Sequence, residues 1–248
     1  MLPPRVNACL VVGGKYHDMD HARLELLRLL GEHERIRTRV SEDYRDIGVI
    51  EAADVLVTYT VDVVPDDATA LRLRNWVAGG RRWLALHGTN SVLRWSKPDK
   101  AWRAPRDAPL LMQTLGSQFL SHPPIVPYRV EVTDPAHPLV AGIAAFDADD
   151  ELYLSELHPP LQVLLHTRWA GQTPAFVDSD WERDEPRPVM YLKATGQGEV
   201  LYLTLGHARG RYDMQPMVAE YPQVERGSWA VPAFHELLRR GIAWAARV

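Results

Sequence analysis

Apolar and polar positions change period several times along this chain, and each change marks an element. Val6 to Val12 is a short apolar run closed by Gly13-Gly14, which predicts a buried strand ending in a turn. Leu24, Leu26, Leu27, Leu29 and Leu30 then recur at helical spacing, predicting a helix from His21 to His33 with one apolar face. Arg35 to Val40 and Ala53 to Tyr59 read as the second and third strands. A helix starts at Pro65-Asp-Asp and runs to Val77, where Gly79-Gly80 stops it. The fourth strand, Arg82 to His87, ends abruptly on a histidine followed by glycine. Strands alternating with helices in this way predict a parallel sheet with right-handed crossovers, hence an α/β fold.

Beyond Thr89 the pattern loosens. Residues 94–109 mix Trp95, Pro98, Trp102, Pro105 and Pro109 with charges, predicting a long surface loop beside the fourth strand's end. Leu110 to Leu120 reads as a short helix, Tyr128 to Val132 and Leu161 to His166 as strands, and Asp134 to Pro138 as a turn. Val189–Leu192 and Val200–Thr204 flank Gly196-Gln-Gly198, a hairpin signal, and the second arm finishes at Leu205-Gly-His207. Phe234, Leu237, Leu238, Ile242 and Trp244 mark one face of a final helix from Val231 to Arg247. With no linker, repeat or low-complexity segment, the expectation is a single domain over 1–248.

Composition removes several function classes. The 248 residues are 46% hydrophobic and 24% charged with a net charge of -4, and no dense basic block offers a footprint for nucleic acid or an anionic membrane. Cys9 is the one cysteine, so neither a disulfide framework nor a thiolate metal cluster can form, and its place inside Ala8–Val12 makes it a core thiol. No apolar run reaches the roughly 20 residues of a membrane span. Met1 to Arg5 lack a secretory start, so a cytoplasmic location is expected.

The candidate chemistry is imidazole. His87 ends the fourth strand, at the carboxyl edge where open α/β sheets keep their ligands. His17 follows the first strand's glycine turn, and His207 ends a late strand that joins them if it runs parallel. His17, His87 and His207, with a carboxylate such as Glu151 and with His122 nearby, form a donor set for zinc, manganese or iron. The same residue types also suit a metal-free pocket of histidines acting as acids, bases or hydrogen-bond partners. Gly13-Gly14 lacks both the dinucleotide fingerprint and the lysine-serine ending of a nucleotide loop, so no nucleotide cofactor is expected. Gly14 and Thr89, at the two turns, and Trp95 and Trp102, in the polar loop, join His122 as candidate substrate contacts.

The ordered segments Gly13-Gly-Lys-Tyr-His-Asp18, Leu86-His-Gly-Thr89, Phe119-Leu-Ser-His-Pro123, Asp134-Pro-Ala-His-Pro138, Asp150-Glu-Leu-Tyr153 and Thr204-Leu-Gly-His207, with the Gly241-Ile-Ala-Trp244 ending, resemble the trehalose-utilisation ThuA-like family. The resemblance implies a class I glutamine-amidotransferase-like fold: a flavodoxin-like, mostly parallel sheet with helices on both faces and extra antiparallel strands in the C-terminal half. It singles out Glu151 and Tyr153 within the acidic stretch Asp149–Tyr153, which composition alone would assign equally to a solvated loop. True amidotransferases of this fold carry a nucleophilic cysteine where His87 stands, so glutamine hydrolysis is not expected. This chain also departs from the family in Gly206-His-Ala-Arg209, where many relatives carry an acidic residue after the histidine.

The resulting expectation is an enzyme acting on a sugar or keto-sugar by isomerisation, elimination or glycoside cleavage. His87, Glu151 and Tyr153 are its candidate catalytic residues, and His17, His87 and His207 the candidate ligands of a divalent metal. The alternative is a non-catalytic sugar-binding or regulatory protein on the same scaffold. The expected partner is a small carbohydrate, with a homo-oligomer open. A serine hydrolase through Ser91 or Ser121 ranks behind both, because neither lies in a Gly-x-Ser-x-Gly elbow.

Overall fold

The computed structural model describes residues 4–248, so the reading of Met1 to Arg5 falls partly outside the described residues. In chain order the elements are β1 (Val6–Gly14), α1 (Met19–Gly31), β2 (Ile36–Ser41), α2 (Ile47–Glu51), β3 (Val55–Val61), α3 (Asp67–Ala78) and β4 (Arg82–Leu86). A hairpin β5 (Arg94–Ser96) and β6 (Ala101–Arg103), α4 (Pro109–Leu115), β7 (Ser117–Ser121), β8 (Val126–Val132), β9 (Phe146–Asp150) and β10 (Leu154–Leu157) follow. The chain closes with β11 (Gln162–Gln172), β12 (Asp180–Thr195), β13 (Gly198–Leu203) and α5 (Pro232–Ala246).

Nine strands make one mixed sheet in the order β2-β1-β3-β4-β13-β12-β11-β8-β9. The block β2-β1-β3-β4-β13 is parallel throughout, in the 2-1-3-4-5 order of flavodoxin-like folds. The remaining four strands extend it antiparallel. Alternation within the central strands serves two cores. Leu10, Val12, Val57 and Leu84 pack with Leu26, Leu30, Leu237 and Ile242 of α1 and α5 on one face. Cys9, Val11, Leu56 and Trp83 pack with Ile50, Leu73, Val77 and Leu111 of α2, α3 and α4 on the other. Because both faces are covered, these strands read as continuous apolar runs rather than alternating ones. No helix among the described residues is long and apolar enough to cross a membrane.

Two local expectations need correction. Residues 94–109 are not one long loop: they carry the β5–β6 hairpin, pinned where Trp102 N–H donates to Ala175 O and Val177 N–H to Trp102 O, each at 2.8 Å. The helix expected from Leu110 to Leu120 stops at Leu115, because Gly116 turns left-handed (φ +92°) and the chain continues as β7. Of the two readings left open for Asp149-Asp150-Glu151, the solvated loop does not hold for its last two residues: Asp150 ends β9, and Asp150 and Glu151 are both buried.

Candidate active site

The apolar run of β4 delivers His87 to the carboxyl edge, where the backbone turns left-handed (His87 φ +45°) into a single 3-10 turn, His87–Asn90. Gly88 is required there, because a Cβ would lie 2.3 Å from Val61 Cγ2 and 2.9 Å from Thr60 O. The Tyr202 hydroxyl donates to His87 O at 2.5 Å and accepts from Asn90 N–H at 2.8 Å, fixing the turn from beneath. His17 follows β1, one residue before Asp18, which caps α1 by accepting from His21 N–H. His207 follows β13, which does run parallel to β4. Its predecessor Gly206 is left-handed (φ +130°), and the Gly206 carbonyl accepts from Tyr59 Oη and Trp229 Nε1 at 2.8 Å each.

Glu151 arrives by a route that sequence order does not reveal. β9 closes the far end of the strand order, yet its last residue, Asp150, lies against the turn after β13. Asp150 Oδ1 accepts from the backbone N–H of Glu151 (2.8 Å) and His207 (3.1 Å), and Oδ2 from those of Gly206 (2.9 Å) and Ser228 (3.1 Å). One buried carboxylate therefore ties three chain segments together and sets Glu151 beside His207.

His17, His87, Glu151 and His207 each present one donor atom, and all four atoms lie within 4.8 Å of one another. The outward hydrogen bonds assign the tautomers. His17 Nδ1 donates to Lys15 O (3.3 Å), His87 Nδ1 to Thr204 O (2.8 Å), and His207 Nε2 to Glu225 Oε2 (2.6 Å). Each ring thus spends one nitrogen on an anchor and turns the other inward, where it becomes a ligand atom once it carries no proton. His17 Nε2 and His87 Nε2 meet at 2.8 Å, and the Tyr153 hydroxyl reaches His87 Nε2 at 3.3 Å. His207 Nδ1 is buried with no hydrogen-bond partner and lies 3.2 Å from Glu151 Oε1. Converging ring nitrogens with a carboxylate, each imidazole anchored behind by a carbonyl or carboxylate, are what a nitrogen- and oxygen-liganded transition metal requires, its binding releasing the protons they carry.

The charges are polarised across the cluster. Burial pulls His17 down to about 4 despite the neighbouring Glu151. Burial also opposes charge on His207, but Glu151, Glu225 and Asp150 outweigh it and lift this imidazole to about 10. Glu151, although desolvated, is held well below the usual carboxylate range by His122, His207 and His17. The ion-free protein therefore has a definite pH response. Between the ordinary histidine value of 6.5 and about 4, the unfolded chain takes up a proton that folded His17 refuses, so this interaction destabilises the fold as pH falls. His207 has the opposite sign: its stabilisation is complete below 6.5 and is lost as pH rises through about 10. Urea midpoints measured against pH should decline on the alkaline side, and His207→Asn should flatten that decline. An unchanged alkaline slope in the variant would contradict the assignment.

The cluster floors a cavity of about 500 Å³. His17, Glu151, Tyr153, His122 and Trp102 line it, and Glu225 and Arg209 form part of its wall. His122 Nδ1 donates to Pro123 O (2.7 Å), and its Nε2 lies 3.8 Å from Glu151 Oε1. His87 and His207 lie deeper, at 0% and 1% exposure. Three sequence candidates are placed elsewhere. Thr89 is buried beneath the turn, its hydroxyl donating to Leu86 O at 2.8 Å, and it does not line the cavity. Gly14 lines a separate cleft with residues 42–45 and 62–66, and its role is close strand approach, since a Cβ would sit 1.9 Å from Val61 O. Trp95 lies outside the cavity, 52% exposed, edge-on to Trp102 at 5.4 Å.

Sequence reasoning missed Asp150 and Glu225. Asp150 was visible only as one of three adjacent acids. Glu225 lies in an irregular segment with no periodicity, yet it accepts from His207 and takes Arg209 Nη2 on both oxygens at 2.6 Å. Cys9 is fully buried in β1 and its thiol is pushed up to about 11 by burial, so it offers no nucleophile to this edge.

Known structures share this architecture. A ThuA-like protein from Bacteroides uniformis superposes with a TM-score of 0.66 at 16% identity, covering 99% of this chain and 93% of its own. One from Parabacteroides merdae gives 0.62 at 16% identity, covering 98% and 90%. A β-galactosidase from Bacillus circulans gives 0.55 at 10% identity, covering 98% of this chain and 31% of its own. No curated protein matches the chain. The sequence model of ThuA, described as trehalose utilisation, matches residues 8–220, a span that runs from within β1 past β13 and includes the histidines that follow β1, β4 and β13. By that match, the chain belongs to the ThuA family.

Proposed function

We propose that the protein is a carbohydrate enzyme that binds a divalent transition metal through His17, His87, Glu151 and His207 and acts on a sugar or keto-sugar in the cavity above them. The observation that carries this reading is the inward convergence of three anchored imidazole nitrogens and one carboxylate at the floor of that cavity. Three histidines and a glutamate suit zinc, manganese or iron at about 2.0–2.2 Å from each ligand atom. Bound there, such an ion supplies a Lewis acid for a sugar carbonyl or hydroxyl.

The protein's own groups divide the remaining work. Lys15 O, Thr204 O and Glu225 hold the imidazoles in the tautomers that bind. Tyr153, whose phenol is raised well above its ordinary value by burial, stays protonated and donates a hydrogen bond at the cluster. His122, with Nδ1 tied to a carbonyl, offers Nε2 to ligand in the cavity. These roles serve isomerisation, elimination or glycoside cleavage alike.

Protein purified without affinity-tag metal should contain about one equivalent of transition metal per chain. Turnover of a panel of sugars and keto-sugars should fall on chelation and return on reloading. A metal-free preparation that turns over substrate and takes up no added ion would sink the metal centre. Loaded protein that binds sugars without changing any of them would favour the non-catalytic sugar-binding alternative.

A further inference from the structure

We infer that Trp95 is an outer sugar subsite, so that the ligand is a saccharide of two or more rings extending from the histidine floor past Trp102; the inference rests on the carbohydrate reading above. An exposed indole alone needs no explanation. Trp95 differs because it continues a file of rings that begins inside the cavity. Tyr16 and Trp102 both line the cavity, edge to face at 5.9 Å, and Trp95 stands edge-on to Trp102 at 5.4 Å on the outward side. Trp102 is the only aromatic partner of Trp95 among the described residues, and about half of the Trp95 surface remains open to solvent. Apolar C–H faces of a pyranose pack against such a ring, while the hydroxyls keep their contacts with water and with nearby polar side chains.

The platform is rigid without help from Trp95. Trp102 is bonded through its backbone to Ala175 and Val177, and Trp95 is its directly opposite residue across the β5–β6 pair. At the hairpin, Asp99 accepts from Ser96 Oγ and from Arg103 Nη2, and Arg94 pairs with the buried Asp62. The hairpin thus presents an exposed indole next to Trp102, which lines the cavity. Cross-strand stabilisation of the hairpin by the Trp95–Trp102 pair is the competing explanation.

Calorimetric titration of the whole protein with glucose, trehalose and maltotriose, each checked to be chemically unchanged at the end of the titration, separates the two. In the wild type, trehalose and maltotriose should bind more tightly than glucose. Trp95→Ala should weaken both longer sugars by about tenfold while leaving glucose within about twofold. Trp95→Phe should retain part of the gain and Trp95→Leu, which keeps an apolar group on the hairpin, should not. Equal wild-type affinity for all three sugars, or an equal loss for all three in Trp95→Ala, would overturn the outer subsite and leave the carbohydrate reading intact. A wild type that binds none of them while taking up metal would count against both. Loss of affinity in Trp95→Ala that Trp95→Leu restores in full would assign the indole to hairpin stability and overturn the subsite.

Discussion

His87→Asn should abolish metal uptake at the proposed centre and lower the proposed turnover about a thousandfold, equivalent to ~4 kcal/mol of transition-state stabilisation. Asparagine suits the experiment because it tolerates the left-handed backbone that His87 adopts (φ +45°), whereas bulkier replacements would add strain to the loss of the ring. The variant removes the Nε2 that meets His17 Nε2 at 2.8 Å and the Nδ1 bond to Thr204 O. The turn itself keeps its support from Tyr202, Thr89 and Gly88, so the fold should persist. Elemental analysis and a thermal melt on the same sample would separate ligand loss from unfolding. A folded variant with full metal content and wild-type turnover would remove His87 from the centre.

Asp150→Ala should cost about 4 kcal/mol of stability, a large part of the roughly 5–15 kcal/mol that holds a domain together. Four backbone N–H groups of buried residues, on Glu151, Gly206, His207 and Ser228, would lose their acceptor. Asp150→Asn, which keeps one oxygen but turns an amide N–H₂ toward donors, should cost about 2–3 kcal/mol. Urea denaturation would show a lower midpoint at unchanged slope in both. Because Asp150 ties the segments carrying Glu151 and His207, metal affinity should fall along with stability. Variants within about 0.5 kcal/mol of wild type, the scale of an ordinary surface substitution, would show that the carboxylate is dispensable.

Legibility of the chain differs between its halves for a physical reason. The strands β1, β3 and β4 are covered by helices on both faces, so each reads as a plain apolar run, and glycines at the ends of β1 and β4 let residue order alone place those ends. His17 and His87 inherit that certainty. His207 needs one further fact, the parallel pairing of β13 with β4 after an antiparallel hairpin, which the apolar run alone does not report. Glu151 depends on the contact of β9 with the turn after β13, across most of the strand order, and only the family resemblance singles it out. Asp150 and Glu225 are polar residues whose partners are backbone amides or distant side chains, and such bonds leave no periodic trace. The β5–β6 hairpin is hidden because three-residue strands are too short to show alternation.

The carbonyl and carboxylate anchors behind the three imidazoles carry a consequence for how the centre assembles. Since each ring is already turned to its working angle by bonds to protein atoms, ion capture demands little reorganisation. Stripped and loaded crystals should be isomorphous, and loading should proceed at a rate set by entry through the cavity mouth rather than by rearrangement of the scaffold.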